Sequence, residues 1–505
     1  MPSAWKSILS VRALALLGAV VTLPGGLAAA DSPPPPKPME EVLAPIVKDR
    51  LFSLAKVGVQ VVNTRTGEEV FARNADTPMI PASTMKVITA AAALKRLGPG
   101  YRFTTDIAVD GELDAAGKLQ GNVYVRGHGD PTLVVEKLWK LVYDMKLYGI
   151  EQIQGDLVFD ESFFGTNYDL VGWDKVADVR EGPAYFPSLG ALSLNTNAAG
   201  LVIRPGTAVG APARLTLETP ASDYLELDNQ LKTGTASSRY WYDIERTVEP
   251  DGHMKFTVTG SVPMDQEVER EYRSVEDPTA HFMAAFREQM RAQGISVEGR
   301  YRRGTVPGNA EIALQLRSPP LAQILADMDK YSYNFHAEQV LRALGSEVLG
   351  PPGTPEKGVA VIQGYLSEVG LEPTDYHLVN GSGLSREISI QPSAMTAVLM
   401  DMVHDGKVGP EFQSSLAIAG VDGTLARRIR EDPARMRGKT GTLDGVHCLV
   451  GYLDASDGER YAFAFFANGD RATSASVKAL QDRMARAMLA STPGQATADN
   501  STDED

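Results

Sequence analysis

The sequence predicts an α/β protein: an antiparallel sheet flanked by helices and interrupted by a large, mostly β insertion. Three observations carry that expectation. Strand-like apolar runs occur near both ends of the chain, at Val57 to Asn63 and at Val446 to Leu453 with Tyr461 to Asn468. An alanine-rich stretch, Met85 to Leu97, has the length and composition of a buried helix. From Tyr101 to about Thr305 the texture changes to short alternating segments broken by Gly, Pro and Asp. The 505 residues exceed one average domain, and 43% apolar with 22% charged residues is ordinary globular usage.

Taken in order, residues 1–30 read as a secretory signal peptide. Lys6 and Arg12 precede the apolar stretch Ala13 to Leu23, and the small-residue run Leu27-Ala28-Ala29-Ala30 offers a cleavage site after Ala30. The apolar stretch falls well short of the roughly 20 residues that a membrane-spanning helix needs. Residues 31–38, with five prolines, form a semi-rigid spacer. Residues 39–101 and 306–490 read as one catalytic domain. Its first hairpin is Val57 to Asn63, the turn Thr64-Arg65-Thr66-Gly67, and Glu69 to Ala72; the helix Met85 to Leu97 then stops at Gly98-Pro99-Gly100. Residues 102–305 are the insertion, expected as two subdomains, with strands such as Asn122 to Arg126, Asp156 to Asp160 and Lys255 to Val262 and one helix at about Leu133 to Leu147. Helix-forming stretches return at Leu321 to Leu349, Pro355 to Val369 and Pro392 to Val403; the strand pair follows, and the helix Ser474 to Leu489 closes the fold. Residues 491–505 are small, polar and acidic, the composition of a disordered tail.

Composition excludes several functions. The net charge is −15, and removing residues 1–30 takes away Lys6 and Arg12 but no acidic residue, so nucleic acid is not an expected partner. Cys448 is the only cysteine, which rules out a disulfide framework and a lipid-bearing cysteine at the cleavage site. No further apolar run is long enough for a transmembrane anchor. His128, His253, His281, His336, His377, His404 and His447 show no His-Glu-x-x-His pair or other ligand spacing, and there is no Gly-x-Ser-x-Gly elbow. No metal and no cofactor is implied, and oligomeric state is not encoded in any pattern.

The chemistry lies in three short strings. Ser83-Thr84-Met85-Lys86 puts a hydroxyl and an amine three residues apart at the start of a helix, where they share a face. A lysine amine in a desolvated site is neutral near pH 7 and can take the serine proton. Ser3/Lys6 and Ser53/Lys56 share the spacing, but only Ser83 opens a helix that reads as buried. Lys439-Thr440-Gly441-Thr442 heads the C-terminal strand pair, where a lysine and two hydroxyls can hold a carboxylate and glycine lets backbone approach a ligand. An exposed edge there can also pair with a peptide. Lys232-Thr233-Gly234-Thr235 repeats those letters, and Ser193-Leu194-Asn195 competes with Ser332-Tyr333-Asn334 as the third string. Context favours 332 and 439, because Ser332 lies between helical stretches and the 439 copy runs into an apolar strand. Singly, each residue has a plainer role: Ser83 as a helix N-cap, Lys86 as a solvated lysine, Ser332 and Asn334 in a turn, Lys439 on a strand edge.

Together, Ser-x-x-Lys, Ser-x-Asn and Lys-Thr-Gly resemble the signature of penicillin-binding proteins and β-lactamases. More narrowly, the chain resembles the D-alanyl-D-alanine carboxypeptidase/endopeptidase family of low-molecular-mass class C penicillin-binding proteins, peptidase family S13. That family carries about 200 residues between its first and second strings, as here between Lys86 and Ser332. The flanks Gly129-Asp130-Pro131-Thr132-Leu133, Ser318-Pro319-Pro320-Leu321, Asn334-Phe335-His336-Ala337-Glu338, Gly381-Ser382-Gly383-Leu384-Ser385 and Gly420-Val421-Asp422-Gly423-Thr424-Leu425 extend the likeness from about Val57 to Asn468. Tyr333 and Asn380 depart from it, the latter standing where the family has Asp.

The resemblance implies a transpeptidase/β-lactamase-like fold and a serine acyl-transfer cycle on D-Ala-D-Ala stem peptides or D-Ala crosslinks of peptidoglycan, with β-lactams acylating the same serine. Ser83 would be the nucleophile, Lys86 its base, and the backbone N–H groups of Ser83 and Thr442 the oxyanion hole. Ser332 would relay a proton to the leaving amine with Lys439 beside it, Asn334 would bind the peptide backbone, and Thr440 and Thr442 the terminal carboxylate. The rivals are a β-lactamase, against which the long insertion speaks, and a catalytically silent wall-binding regulator, against which the complete set Ser83, Lys86, Ser332, Asn334 and Lys439 speaks.

Overall fold

The strand-like runs at the two ends of the chain find each other. In a computed structural model, which describes residues 38–491 apart from 169, 174–181, 220–222, 457, 470 and 472, a six-stranded sheet comprises β1 (Lys56–Asn63), β2 (Glu69–Arg73), β3 (Ala417–Ile418), β4 (Met436–Leu443), β5 (Val446–Asp454) and β6 (Arg460–Asn468). Its order is β2-β1-β6-β5-β4-β3 and every neighbouring pair is antiparallel. The expected signal peptide, most of the proline spacer and most of the acidic tail lie outside the described residues.

Strands β5 and β6 are apolar without interruption because both faces of the sheet are covered. Side chains alternate between faces along a strand. Val446, Cys448, Val450 and Tyr452 of β5, with Ala462, Ala464 and Phe466 of β6, join one hydrophobic cluster; Leu449, Leu453, Phe463 and Phe465 join another. The first cluster contains α1 (Met85–Leu97), α2 (Leu321–Tyr331), α3 (Asn334–Leu349) and the helices Pro355–Glu368 and Pro392–His404. The second is closed by Met39–Leu43 and Ser474–Leu489. Ala90 to Ala93 of α1 are fully buried, so alanine there admits close neighbours on all sides, as the sequence reading expects of this helix. The stretch Leu321 to Leu349 is two helices. Ser332, with φ 64°, ends α2 in the left-handed region, and α3 starts at Asn334.

The segment between α1 and α2 forms further sheets. Thr104–Val109, Val123–Gly127, Leu157–Asp160, Tyr301–Arg303 and Glu311–Arg317 make a five-stranded sheet, so this segment's strands reach Arg317, past the 305 boundary read from sequence. Two helices, Val135–Leu147 and Pro278–Gln293, share a cluster with it that includes Ile107, Val125, Leu138, Phe159, Phe282 and Phe286. A separate cluster, including Leu201, Ile203, Leu231, Phe256 and Val258, lies under the sheets built on Ala198–Arg204 and Met254–Pro263. The helix Pro278–Gln293 was not among the expected elements, although its ends follow the rules: Asp277 accepts from the Ala280 N–H at 2.9 Å, Pro278 opens the helix, and Gly294 closes it at φ 76°.

Candidate active site

Ser83 stands in the 3₁₀ turn Ala82–Thr84, which runs straight into α1. The Thr84 hydroxyl donates back to the Pro81 carbonyl at 2.7 Å, and Ala82 sits at φ 48°, a left-handed conformation uncommon for a residue with a Cβ. One helical turn on, Lys86 is fully buried. Its Nζ lies 3.0 Å from Ser83 Oγ, 2.8 Å from Asn334 Oδ1 and 2.8 Å from the Ser382 carbonyl. Burial, then the neighbouring Lys439, holds the Lys86 amine well below its ordinary value. In the neutral form the arrangement is self-consistent. Two N–H bonds serve Asn334 and Ser382, and the lone pair faces the Ser83 hydroxyl.

Ser332 and Lys439 make a second pair. Lys439 on β4 is fully buried; its Nζ donates to Ser332 Oγ at 2.9 Å and to the Thr440 carbonyl at 2.8 Å. Burial pushes this lysine down to about 8, opposed by the Asp329 carboxylate. The Thr440 hydroxyl donates to Thr424 Oγ1 at 2.9 Å. Gly441 is where β4 passes the Ser83 turn: a Cβ there would meet the Pro81 carbonyl oxygen at 2.6 Å and Ser83 N at 3.2 Å. The short β3 pairs only with Gly438 and Arg437, so among the described residues no strand covers the edge of β4 opposite β5 from Lys439 onward. Thr442, at that open edge, is exposed. All eight residues read from the sequence, Ser83, Lys86, Ser332, Asn334, Lys439, Thr440, Gly441 and Thr442, therefore come from three segments that meet one another.

The competing strings have structural work elsewhere. Thr233, in the strand Leu225–Gly234, accepts from the Gly206 N–H at 2.8 Å, and Ser193 donates to the Gly190 carbonyl at 2.7 Å.

Several supporting residues are visible only in the structure. Glu338, one helical turn after Asn334, is buried and accepts from the Ser382 N–H at 2.8 Å and the Gly381 N–H at 3.2 Å, holding the residue whose carbonyl accepts from Lys86. Burial raises this carboxyl while those hydrogen bonds oppose the rise. Asn380 braces the same loop, accepting from the Gly383 N–H at 3.0 Å and donating to the Val171 carbonyl at 3.1 Å. Gly383, at φ 79°, is the only residue type that fits, since a Cβ would sit 1.9 Å from the Ala82 oxygen. Asp329 is fully buried, accepts from the Ser415 hydroxyl at 2.8 Å, and is pushed up to about 7 by burial. The signal for these residues was present as the flanking strings around Asn334 and Gly381, but their contacts depend on the meeting of α1, α3 and the 380–385 loop.

A family model described as the D-Ala-D-Ala carboxypeptidase 3 (S13) family matches residues 39–490. The chain belongs to that family. As an S13 protein it is a serine-type D-Ala-D-Ala carboxypeptidase on the penicillin-binding fold. It is 34% identical over 448 residues to a D-alanyl-D-alanine carboxypeptidase of Actinomadura sp. (strain R39), covering 85% of this chain and 81% of the relative. It is 27% identical over 428 residues to the D-alanyl-D-alanine carboxypeptidase DacB of Haemophilus influenzae, covering 82% and 86%. The crystal structure of penicillin binding protein 4 from Haemophilus influenzae superposes with a TM-score of 0.74 at 25% identity, over 88% of this chain and 97% of that one. The same protein complexed with a β-lactam gives 0.70 over the same shares. Among the described residues no helix is long and apolar enough to cross a membrane, and no group of three or more His, Cys, Asp or Glu side chains could hold a metal ion.

Proposed function

We propose that Ser83 is the acylated nucleophile and that this S13 enzyme hydrolyses the terminal D-Ala-D-Ala bond of peptidoglycan stem peptides, D-Ala crosslinks, or both. Lys86 takes the Ser83 proton, and Ser83 Oγ bonds to the D-Ala carbonyl carbon. The resulting oxyanion lies against the backbone N–H groups of Ser83 and Thr442. As the C–N bond breaks, the proton passes through Ser332, beside Lys439, to the leaving amine. Asn334 binds the peptide backbone, while Thr440 and Thr442 bind the terminal carboxylate. Water, activated by the same Lys86, then splits the ester and returns Ser83. A β-lactam enters by the same attack, and its opened ring stays on the serine.

The observation that carries this reading is the 3.0 Å contact between Ser83 Oγ and a fully buried Lys86 whose other two partners are both carbonyl oxygens. The test is intact-protein mass after incubation with benzylpenicillin. A single stable adduct in the wild type that is absent from Ser83→Ala supports it. No adduct with penicillin unconsumed would sink the enzyme assignment, and no adduct with rapid penicillin loss would make the protein a β-lactamase.

Residues 1–30 support export, to the periplasm or another extracytoplasmic space, with cleavage after Ala30. A mature mass still including residues 1–30 would refute this. The two larger hydrophobic clusters between α1 and α2 support reading residues 102–305 as an insertion of two subdomains.

A further inference from the structure

Asp329 is a buried acid that none of the roles assigned above uses. It lies on α2 one helical turn before Ser332 and is fully buried, as are Lys86 on α1 and Lys439 on β4; Glu338 on α3 is buried with them. Two amines and two carboxylates thus share one interior, where each charge needs an opposite charge or a full set of hydrogen bonds. Glu338 has hydrogen bonds: the Gly381 and Ser382 N–H groups both donate to it. Asp329 accepts only from the Ser415 hydroxyl, through Oδ2, and its Oδ1 is buried without a hydrogen-bond partner. Lys439 is the matching case. Its ammonium has three N–H donors; Ser332 Oγ and the Thr440 carbonyl accept two, and among the described residues no carboxylate bonds the third.

Elimination assigns the partner. The other cations that act on Asp329 are Lys86 and Lys330. Lys330, its neighbour on α2, is engaged by the Asp422 carboxylate at 2.6 Å and the Leu416 carbonyl at 3.2 Å. Lys86 already meets Ser83 Oγ, Asn334 Oδ1 and the Ser382 carbonyl, and of the two carboxylates Glu338 acts on it more than Asp329. Lys439 remains. The acyl-transfer cycle needs the two buried lysines in opposite states, Lys86 neutral to take a proton and Lys439 charged beside Ser332. Neighbouring like charges disfavour each other, so a proton shared between two equally buried amines goes where a carboxylate draws it. We propose that Asp329 is the positioning residue that decides which of the two buried lysines carries the charge, holding it on Lys439 and leaving Lys86 free to act as base. The inference rests on the roles proposed above for Lys86 and Lys439. Burial pushes Asp329 up to about 7 and Lys439 down to about 8, each opposing the other's shift, and between those values both are charged.

The test is the pH profile of kcat/KM on a peptide ending in D-Ala-D-Ala, for the wild type, Asp329→Asn and Glu338→Gln. Asparagine keeps the size and an oxygen to accept from Ser415 but removes the charge. Lys439 then gives up its proton more readily, so the alkaline limb should move down by about one pH unit while the acid limb moves less. Glu338→Gln should show the reverse, moving the acid limb more than the alkaline one. A role in packing alone would lower the whole profile without moving either limb. That result, or equal movement of both limbs in Asp329→Asn, would overturn the proposal. If Asp329→Asn does not fold, Ser415→Ala takes its place: without the hydroxyl that favours ionised Asp329, the alkaline limb should move down by a smaller step, and an unmoved limb again overturns the proposal. Lys439→Arg separates the two layers. If arginine moves the alkaline limb upward and Asp329→Asn leaves it in place, the Asp329 assignment alone fails; if neither moves it, the limb does not belong to Lys439 and the reading beneath fails first.

Discussion

Replacing Gly441 by alanine adds a single methyl group at the point where β4 passes the nucleophile turn. The new Cβ would lie 2.6 Å from the Pro81 carbonyl oxygen and 3.2 Å from both Ala82 Cβ and Ser83 N. Relief to an ordinary contact requires the strand and the turn to part by about 0.4–0.8 Å, and the atoms in the way are largely backbone. Gly441 is not among the positive-φ glycines, so alanine suits its backbone and the cost is the clash alone, about 1–3 kcal/mol of stability as overpacking. The same displacement separates the two N–H groups assigned to the oxyanion. A 1 Å misplacement costs about a hundredfold in rate, and loss of one oxyanion donor 10²–10³. The acylation rate with benzylpenicillin, followed by intact mass, should therefore fall about 10- to 100-fold while thermal unfolding remains cooperative. A Gly441→Ala protein that folds normally and acylates at the wild-type rate would refute the claim that this strand and this turn form the oxyanion site.

Other consequences are equally open to measurement. Glu338→Gln removes a negative charge that favours protonated Lys86, so the acid limb of the acylation pH profile should move to lower pH, with a plateau roughly tenfold lower as the Ser382 carbonyl loses its brace; an unshifted limb would leave Glu338 a purely structural role. Lys439, held down to about 8, loses its charge above that pH, so kcat/KM on a D-Ala-D-Ala peptide should decline on an alkaline limb near 8 that Lys439→Arg moves upward. His281 is fully buried and held down to about 4 by burial, so the folded state resists its protonation. The stability it contributes is complete above the ordinary value of 6.5 and drains as pH falls towards 4, on the order of 3 kcal/mol, and His281→Leu should flatten the urea-midpoint profile over that window.

The parts legible in the sequence are those fixed by local pattern. The helix Met85–Leu97 and the closing helix Ser474–Leu489 have the bounds that composition and breakers indicate, and β1, β5 and β6 differ from expectation by a residue at their ends. The helix Pro278–Gln293 escaped because its surroundings alternate like strands, although its Asp277-Pro278 start and Gly294 stop were available as signals. The two-residue β3 carries no periodicity at all, yet it decides how far the β4 edge is covered. At the site, the strings holding Ser83, Lys86 and Lys439 to Thr442 could be picked out because their spacing is local, and the structure brings them together. The link from Glu338 to Lys86 through the N–H and the carbonyl of Ser382 could not, since it joins residues hundreds of positions apart through backbone groups that any residue type supplies.

The placement of β1 between β2 and β6 also governs when this enzyme can exist. Ile80, just before the nucleophile turn, donates its N–H to Asn468 Oδ1 at 2.8 Å and accepts from Asn468 Nδ2 at 3.1 Å, a contact across 388 positions of sequence. Closing so long a loop makes the pairing of β1 with β6 a late and slow event in folding. A growing chain that already contains Ser83 and Lys86 has neither Lys439 nor the strand that steadies the turn. Until the last strand is made, the chain lacks both Lys439 beside Ser332 and Asn468 against Ile80, so the cluster around Ser83 cannot be assembled.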